Sequence, residues 1–338
     1  MNKIWRIKSK PAEGDVAALS KSINVNHFLA SLLLQRNIST FEQAKAYFRP
    51  SLAELHEPFL MKDMDLAVNR LNQAIAQKEK VIIYGDYDVD GTTSVAMFYD
   101  FLKKHSNIEA PHLEFYIPDR YSEGYGVSYQ GVDYAASNGF SLIVSLDCGI
   151  KSVDKIAYAK EKGIDFIVCD HHQVGDTLPP AYAVLDPKRP DCDYPYKELS
   201  GCGVGFKLLQ AFCIKNDIPL EKLYPYLDLL CVSIAADIVQ MTGENRIFSY
   251  FGLKQINTDP RPGLKALGAV AGFKKELNIS NVVFGLAPRI NAAGRIAHAN
   301  AAVELLLTEN EAEAEKMASG LNDTNQSRKD FDSTITVE

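Results

Sequence analysis

No apolar run in this 338-residue sequence approaches the ~20 residues that a bilayer-spanning helix requires. The first residues, MNKIWRIKSKPAEGD, contain neither an apolar core nor a small-residue cleavage site, so a secretory leader is not expected. Cysteine is sparse. The six residues Cys148, Cys169, Cys192, Cys202, Cys213 and Cys231 form no C-x-x-C pair, and Cys169 and Cys231 lie in apolar runs. That argues against a disulfide framework and a thiolate zinc site, and suggests reduced thiols in a cytoplasmic protein. An excess of positive charge is missing too. A net charge of −7 argues mildly against a nucleic-acid coat or a membrane binder, but not against an enzyme that meets a polyanion through bound metal and a few arginines.

What is present is ordinary in bulk. Hydrophobic residues make up 46% and charged residues 23%, as in a globular protein, and the length suggests two domains, each able to bury a core. Residues 1–75 are patterned as helices. NVNHFLASLLLQRNI and STFEQAKAYF carry apolar positions three and four apart, with Ser39 or Thr40 as an N-cap and Glu42 near N3. MKDMDLAVNRLNQAIAQKE continues the pattern with Leu66, Val68, Leu71 and Ala74 on one stripe. This region is expected to be a helical lead-in without catalytic residues.

The rhythm changes from Glu79. KVIIYGD, HLEFYIPD, SLIVSLDCG and DFIVCDHH are short apolar runs, followed by turns and then by helical patterns over 92–104, 128–137 and 151–162. Alternation at this spacing predicts a doubly wound, mainly parallel α/β sheet, in which ligands bind beyond the carboxyl ends of the strands. Polar residues cluster at those ends: Asp86, Asp88 and Asp90; Asp119 and Arg120; Asp147; Asp170, His171 and His172. Further on, AVLDPKRPDCDYPY suggests a Pro-rich loop, GCGVGFKLLQAFC and 223–239 suggest helices, and GLAPRINAAGRIAHANAAVELLL a loop feeding a helix. The closing segment is expected to be a long, charged helix with little apolar face.

VIIYGDYDVDGTTSVAM holds the central puzzle. Asp86, Asp88 and Asp90 alternate, so on an extended backbone their side chains point the same way about 7 Å apart, and each disfavours the ionised form of the others. DYDVDG opens like an EF-hand loop, but Met97 stands where a bidentate Glu is needed, and a strand precedes the loop. No G-K-[ST] follows, which excludes a P-loop. A lone Asp at a strand end is usually an N-cap. Carboxylates and imidazole converging on one crevice instead form an O/N donor set suited to Mn²⁺ or Mg²⁺, and two such ions can activate a water and neutralise a phosphate in flight. Asp237 ends an apolar helix, where it either caps neighbouring backbone or reaches the metals. RYSEGYG is either a plain turn or a ligand-lining loop.

DYDVDG, SLDCG, DHH and AADIV, in this order, resemble the four signature blocks of the DHH phosphoesterase superfamily. YIPDRYSEGYG, SGCGVGFKL, PRINAAGR and the N-terminal lead-in are similar to its RecJ-type exonuclease branch, and the resemblance covers nearly the whole chain. It implies that Asp88, Asp90, Asp147, His171 and Asp237 are ligands of two divalent ions, Mn²⁺ or Mg²⁺, with Asp147 bridging. Asp86 would be a further ligand or would support one, Asp170 would orient the adjacent imidazole, and His172 would face the scissile phosphate. Arg120, Arg289, Asn291 and Arg295 would hold phosphates, and Gly124, Tyr125 and Gly126 would line the nucleic-acid path.

The implied activity is metal-dependent 5′-to-3′ exonuclease action on single-stranded DNA, releasing nucleoside 5′-monophosphates in recombination and repair. The implied domains are a lead-in over 1–75, a catalytic domain over 76–308, and from 309 a helix linking to a DHH-associated domain beyond Glu338. Single-strand-binding protein or helicase partners are expected through that further region, with a monomer as the default. Other DHH activities on oligoribonucleotides or cyclic dinucleotides, and a non-catalytic replication scaffold, are the rival readings. The complete carboxylate set argues against the scaffold.

Overall fold

The computed structural model describes residues 5–108, 111–296 and 299–337, except the side chains of 295, 296 and 331–337. By internal contacts the chain divides into Met1–Leu55 and His56–Glu338. In the first unit, helices α1 (Glu13–Ile23), α2 (His27–Leu34) and α3 (Phe41–Phe48) gather around Leu19, Ala30, Leu33, Ile38 and Ala44. The α3 capping box uses Thr40 and Gln43 rather than Glu42, because Gln43 is the residue at N3.

The second unit begins earlier than the expected boundary near residue 76. Helix α4 (Met64–Ala76) belongs to it, with Met64, Ala67, Val68, Leu71 and Ala74 buried. Arg70 of α4 pairs with Glu79 and with Asp165, the latter at 2.6 Å. Of the stripe expected from sequence, Val68, Leu71 and Ala74 are buried but Leu66 is exposed, and the domain the helix packs on is not legible in sequence.

Five strands follow: β1 (Lys80–Gly85), β2 (Leu113–Tyr116), β3 (Phe140–Leu146), β4 (Asp165–Cys169) and β5 (Ala183–Leu185). They form one all-parallel sheet in the order β2-β1-β3-β4-β5. Buried Val, Ile, Leu and aromatic side chains fill its strands, as expected for a sheet covered on both faces. Strand β5, only three residues long, lies inside the segment read as a Pro-rich loop; a run that short has no detectable period. Helices α5 (Val89–His105), α6 (Tyr129–Ser137) and α7 (Val153–Glu161) connect the strands. The hydroxyls that open buried α5 donate back to its own carbonyls, Thr92 to Asp88, Thr93 to Val89 and Ser94 to Asp90, so none is left unpaired in the core.

After the sheet come α8 (Gly201–Lys215), α9 (Leu227–Asp237), α10 (Gly243–Thr258), α11 (Pro262–Val270), α12 (Ile279–Asn281), α13 (Ala287–Ile296), α14 (Asn300–Leu307) and α15 (Glu311–Val337). Three sequence expectations change here. The segment read as a helix over 223–239 starts only at Leu227, after a short turn containing Pro225, and ends when Ile238 adopts φ 58°. PRINAAGR is not a loop but helix α13, entered through a widened π turn at Val282–Leu286. Helix α15 does bury a face, through Ala314, Ala318, Leu321 and Asn325, against α11 and α13. Its spacing of four, three and four is helical, but alanine and asparagine add little hydropathy, so the sequence understates it. Among the described residues, no helix is long and apolar enough to cross a membrane.

Candidate metal centre

Sheet register builds the site. The chain leaves β1 toward β2 on one side and leaves β3 toward β4 on the other, so the crevice of this fold lies beyond the carboxyl ends of β1 and β3. Gly85 pairs with Leu146, Leu146 with Cys169, and Cys169 with Leu185. The next residue on each strand is an aspartate: Asp86, Asp147, Asp170 and Asp186, one row along the sheet edge.

Around that row the other expected residues converge. Asp88 caps α5, accepting from the Gly91 amide at 2.9 Å. Asp90 is held across the N-terminus of α8: its oxygens accept from the amides of Gly201 (2.7 Å) and Cys202 (2.9 Å) and from the Ser233 hydroxyl (2.7 Å). A helix N-terminus favours a carboxylate there. The buried His171 Nε2 lies 3.2 Å from Asp147, 3.6 Å from Asp237 and 3.8 Å from Asp90. Asp237 thus reaches this cluster from the last position of α9, with its side chain partly open to solvent. Gly201 closes the site from behind: a Cβ there would lie 2.5 Å from both Cβ and Oδ1 of Asp147. Gly201→Ala is therefore expected to displace Asp147 and weaken Mn²⁺ binding by about 10- to 100-fold, as disturbing the support of a metal ligand does, while the protein stays folded by circular dichroism.

The electrostatics are those of an uncompensated acidic cluster. Burial, and then the neighbouring Asp90, Asp88, Asp170 and Asp237, raises the Asp147 carboxyl well above its ordinary range. Burial and Asp88 push Asp86 up to about 7, and burial and Asp90 do the same to Asp237. Burial and Asp90 also raise Asp88. Burial lowers His171, favouring the neutral, ligand-competent imidazole. Among the described residues, Asp147 Oδ1 and His171 Nε2 are buried without a hydrogen-bond partner. Such orphaned donor atoms, 3.2 Å apart among carboxylates, fit a divalent cation with oxygen and nitrogen ligands.

Asp170 plays a different part. Its Oδ2 accepts from the Ile150 amide, while Oδ1 accepts from the amides of His171 and His172 and from His172 Nδ1 at 2.7 Å. Burial alone would raise this carboxyl, but the bond to His172 and the amides outweigh it and hold it low. The imidazole it orients is that of His172, whose pKa the same bond raises.

On the β2 side, Gly124 and Gly126 adopt φ 85° and 75° and present Tyr125 between them. The Tyr125 hydroxyl lies 3.5 Å from His172 Nε2, and its ring meets Tyr87 edge-on at 5.9 Å. Arg120 is exposed, its guanidinium 5.0 Å above the Tyr87 ring. Helix α13 also approaches this corner, since a Cβ on Gly294 would come 2.6 Å from the Tyr87 carbonyl. Asn291, three residues earlier, shares that helix face; the Arg295 side chain lies outside the described residues.

Arg289 is turned roughly 140° away from Gly294 around the helix. Its guanidinium donates instead to the Gly285 carbonyl (2.7 Å) and to Asn322 of α15 (3.0 Å). Its described contacts thus join helices and do not include the carboxylates.

Sequence reasoning missed the buried Asp186, whose pKa burial pushes up to about 7. The repeated pattern of an apolar run ending in Asp was its signal: AVLD parallels VSLD and IVCD. The roles of Ser233 and of the α8 amides in holding Asp90 had no local signal.

A parallel sheet with acidic strand ends and a DHH block at its crevice defines the class. The model for the DHH family, N-terminal domain, matches residues 80–234, and the chain belongs to that family. Within it, the similarity is to RecJ. The chain is 41% identical to the single-stranded-DNA-specific exonuclease RecJ of Bacillus subtilis over 99% of its own length and 41% of the relative's. It is 36% identical to RecJ of Escherichia coli over 82% of its own length and 50% of the relative's. A crystal structure of exonuclease RecJ bound to manganese superposes with a TM-score of 0.74 at 32% identity, covering 84% of this chain and 70% of that one. RecJ of Thermus thermophilus in complex with Mn²⁺ superposes at 0.83 with 29% identity, covering 98% and 46%. The chain spans about half the length of the curated relatives it matches.

Proposed function

We propose that this chain carries the catalytic centre of a metal-dependent exonuclease, one that trims single-stranded DNA from its 5′ end and releases nucleoside 5′-monophosphates in recombination and repair. The observation that carries this reading is the convergence of Asp88, Asp90, Asp147, Asp237 and the unpartnered His171 Nε2 at the switch point of the sheet. These five residues would hold two divalent ions, Mn²⁺ or Mg²⁺, with Asp86 beside them. When bound, the ions neutralise phosphate charge and raise the nucleophilicity of water.

The chain's own groups do the rest. Asp170 fixes His172 and favours its protonated form, which places a positive charge where negative charge develops on the phosphate. Tyr125, half exposed beside His172, offers a ring on which a terminal base can stack. Arg120 and Asn291, with Arg295 in the same motif, supply phosphate contacts, the arginines by bidentate bonding. Water adds to phosphorus, the P–O3′ bond breaks, and O3′ leaves with a proton. The 5′ nucleotide departs as a monophosphate, and the shortened strand keeps a 5′ phosphate. A cytoplasmic location and single-strand-binding protein or helicase partners are part of this reading.

The test uses 3′-labelled single-stranded DNA with Mn²⁺, with Mg²⁺ and with chelator. The same strand in duplex form and an Asp90→Ala protein serve as controls. Metal-dependent shortening from the 5′ end, absent in both controls, is expected. Cleavage confined to a ribodinucleotide or a cyclic dinucleotide would replace the substrate assignment. No cleavage of any phosphodiester by a chain that binds Mn²⁺ would end the nuclease reading.

A further inference from the structure

The loop that carries Tyr125 is held by hydrogen bonds within the chain. Asp119 starts it as a cap, with Oδ1 accepting from the Tyr121 and Ser122 amides at 3.1 and 2.9 Å. One helical turn follows, closed when the amides of Glu123 and Gly124 both donate to the Asp119 carbonyl, and Gly124 ends it at φ 85°. Downstream, the Tyr84 hydroxyl from β1 donates to the Gly126 carbonyl at 3.1 Å, and the Ser128 amide donates back to that hydroxyl at 3.2 Å.

Glu123 joins the two halves. Its Oε1 accepts from the Asp119 amide at 2.8 Å, and its Oε2 accepts from the Tyr116 hydroxyl at 2.9 Å and from the Ser128 hydroxyl at 2.5 Å. One carboxylate thus binds the end of β2, the start of the loop and the cap of α6. No cation approaches within salt-bridge distance of it among the described residues, so its contacts are directional hydrogen bonds that define geometry.

We propose that Glu123 is a positioning residue for the exonuclease reaction: it acts through Tyr125, holding that ring and hydroxyl against His172 so that the terminal nucleotide meets a preformed wall. This rests on the functional reading above. It assigns Glu123 no contact with substrate or metal. The loop's bonds run to groups of the chain itself, Asp119, Tyr116, Tyr84 and Ser128, and a loop fixed in this way reduces the ordering cost that substrate binding would otherwise carry.

The test is a cycle of Glu123→Ala, Tyr125→Ala and the double variant, with Glu123→Gln as the conservative replacement. Glu123→Ala is expected to lower kcat/KM by about 10- to 100-fold, as displacements near 1 Å do, with Mn²⁺ affinity unchanged. The double variant should be no slower than Tyr125→Ala alone within about 2-fold, because residues acting as one unit are not additive. Glu123→Gln should recover most of the loss: its carbonyl still accepts from Asp119, and both hydroxyls can turn to accept from its amide.

Fluorine NMR of a Tyr125→3-fluorotyrosine protein gives a readout independent of turnover. One narrow line is expected, broadened or split by Glu123→Ala. Multiplicative losses in the double variant, or an unchanged fluorine line, would overturn the proposal. If the chain hydrolyses no phosphodiester at all, the functional reading falls, while the fluorine line still decides whether Glu123 positions Tyr125.

Discussion

Asp147→Asn is expected to remove nearly all hydrolysis while making the metal-free protein more stable. The two effects have opposite signs because Asp147 sits where one charge serves two roles. It is fully buried among Asp90, Asp88, Asp170 and Asp237, so without a cation its ionised form is costly. Asparagine removes that charge, keeps the side-chain shape, and tolerates the left-handed φ of 62° that this position requires. Tm of the metal-free chain should therefore rise. With Mn²⁺ the order reverses. An ion bound at 100 times its dissociation constant stabilises by roughly 2.7 kcal/mol, and the variant should lose most of that gain. If the ions supply several kcal/mol of charge stabilisation, the loss corresponds to about 10³-fold or more in kcat/KM. Thermal melts with and without Mn²⁺, beside a hydrolysis assay, measure all three quantities. A variant that keeps its Mn²⁺-induced Tm shift would show that Asp147 is not a ligand.

Lys207→Met should have the largest effect on stability outside the site. Lys207 is fully buried on α8, donating to the His56 carbonyl at 2.6 Å and to Glu244 of α10 at 3.0 Å. Glu244, equally buried, also accepts from the Tyr194 hydroxyl at 2.6 Å and from the His56 amide at 3.1 Å. Removing the ammonium leaves a buried carboxylate without its counter-charge, and breaking such a pair costs about 3–5 kcal/mol. Lys207→Met/Glu244→Gln, which removes both charges, should cost less than Lys207→Met alone. Urea titration of the three proteins measures that coupling. A loss under ~1 kcal/mol for Lys207→Met would mean that water or rearrangement solvates Glu244. Because the same helix presents the Gly201 and Cys202 amides to Asp90, unfolding here should also disorder the metal centre.

Much of the site was legible because its residues lie at strand ends. A strand at the centre of a parallel sheet must be apolar throughout, so an aspartate directly after SLIVSL or DFIVC stands out and its depth in the fold follows from the sheet. Asp86, Asp88, Asp90, Asp147 and the DHH block needed only the motif and the rule that sites lie beyond carboxyl ends. Asp186 had the same signal, obscured by the three-residue length of its strand. Helix α13 was missed because its proline, glycine and asparagine suggest a turn, whereas tertiary packing of Gly294 on Tyr87 favours a small residue within the helix.

By itself the sequence determined the alternation of strands and helices, the parallel sheet, the chemical class of the donor set and the family resemblance, since each is written in local periodicity or in residue type at short spacing. Only the tertiary structure decided which long-range partners meet. It put Asp237 at His171, turned Arg289 toward Asn322 of α15, and laid Asp90 across the start of α8. Those contacts depend on where helices pack after the sheet has formed. Packing is set by shape and by buried polar matching between segments distant in the chain, which no local pattern encodes.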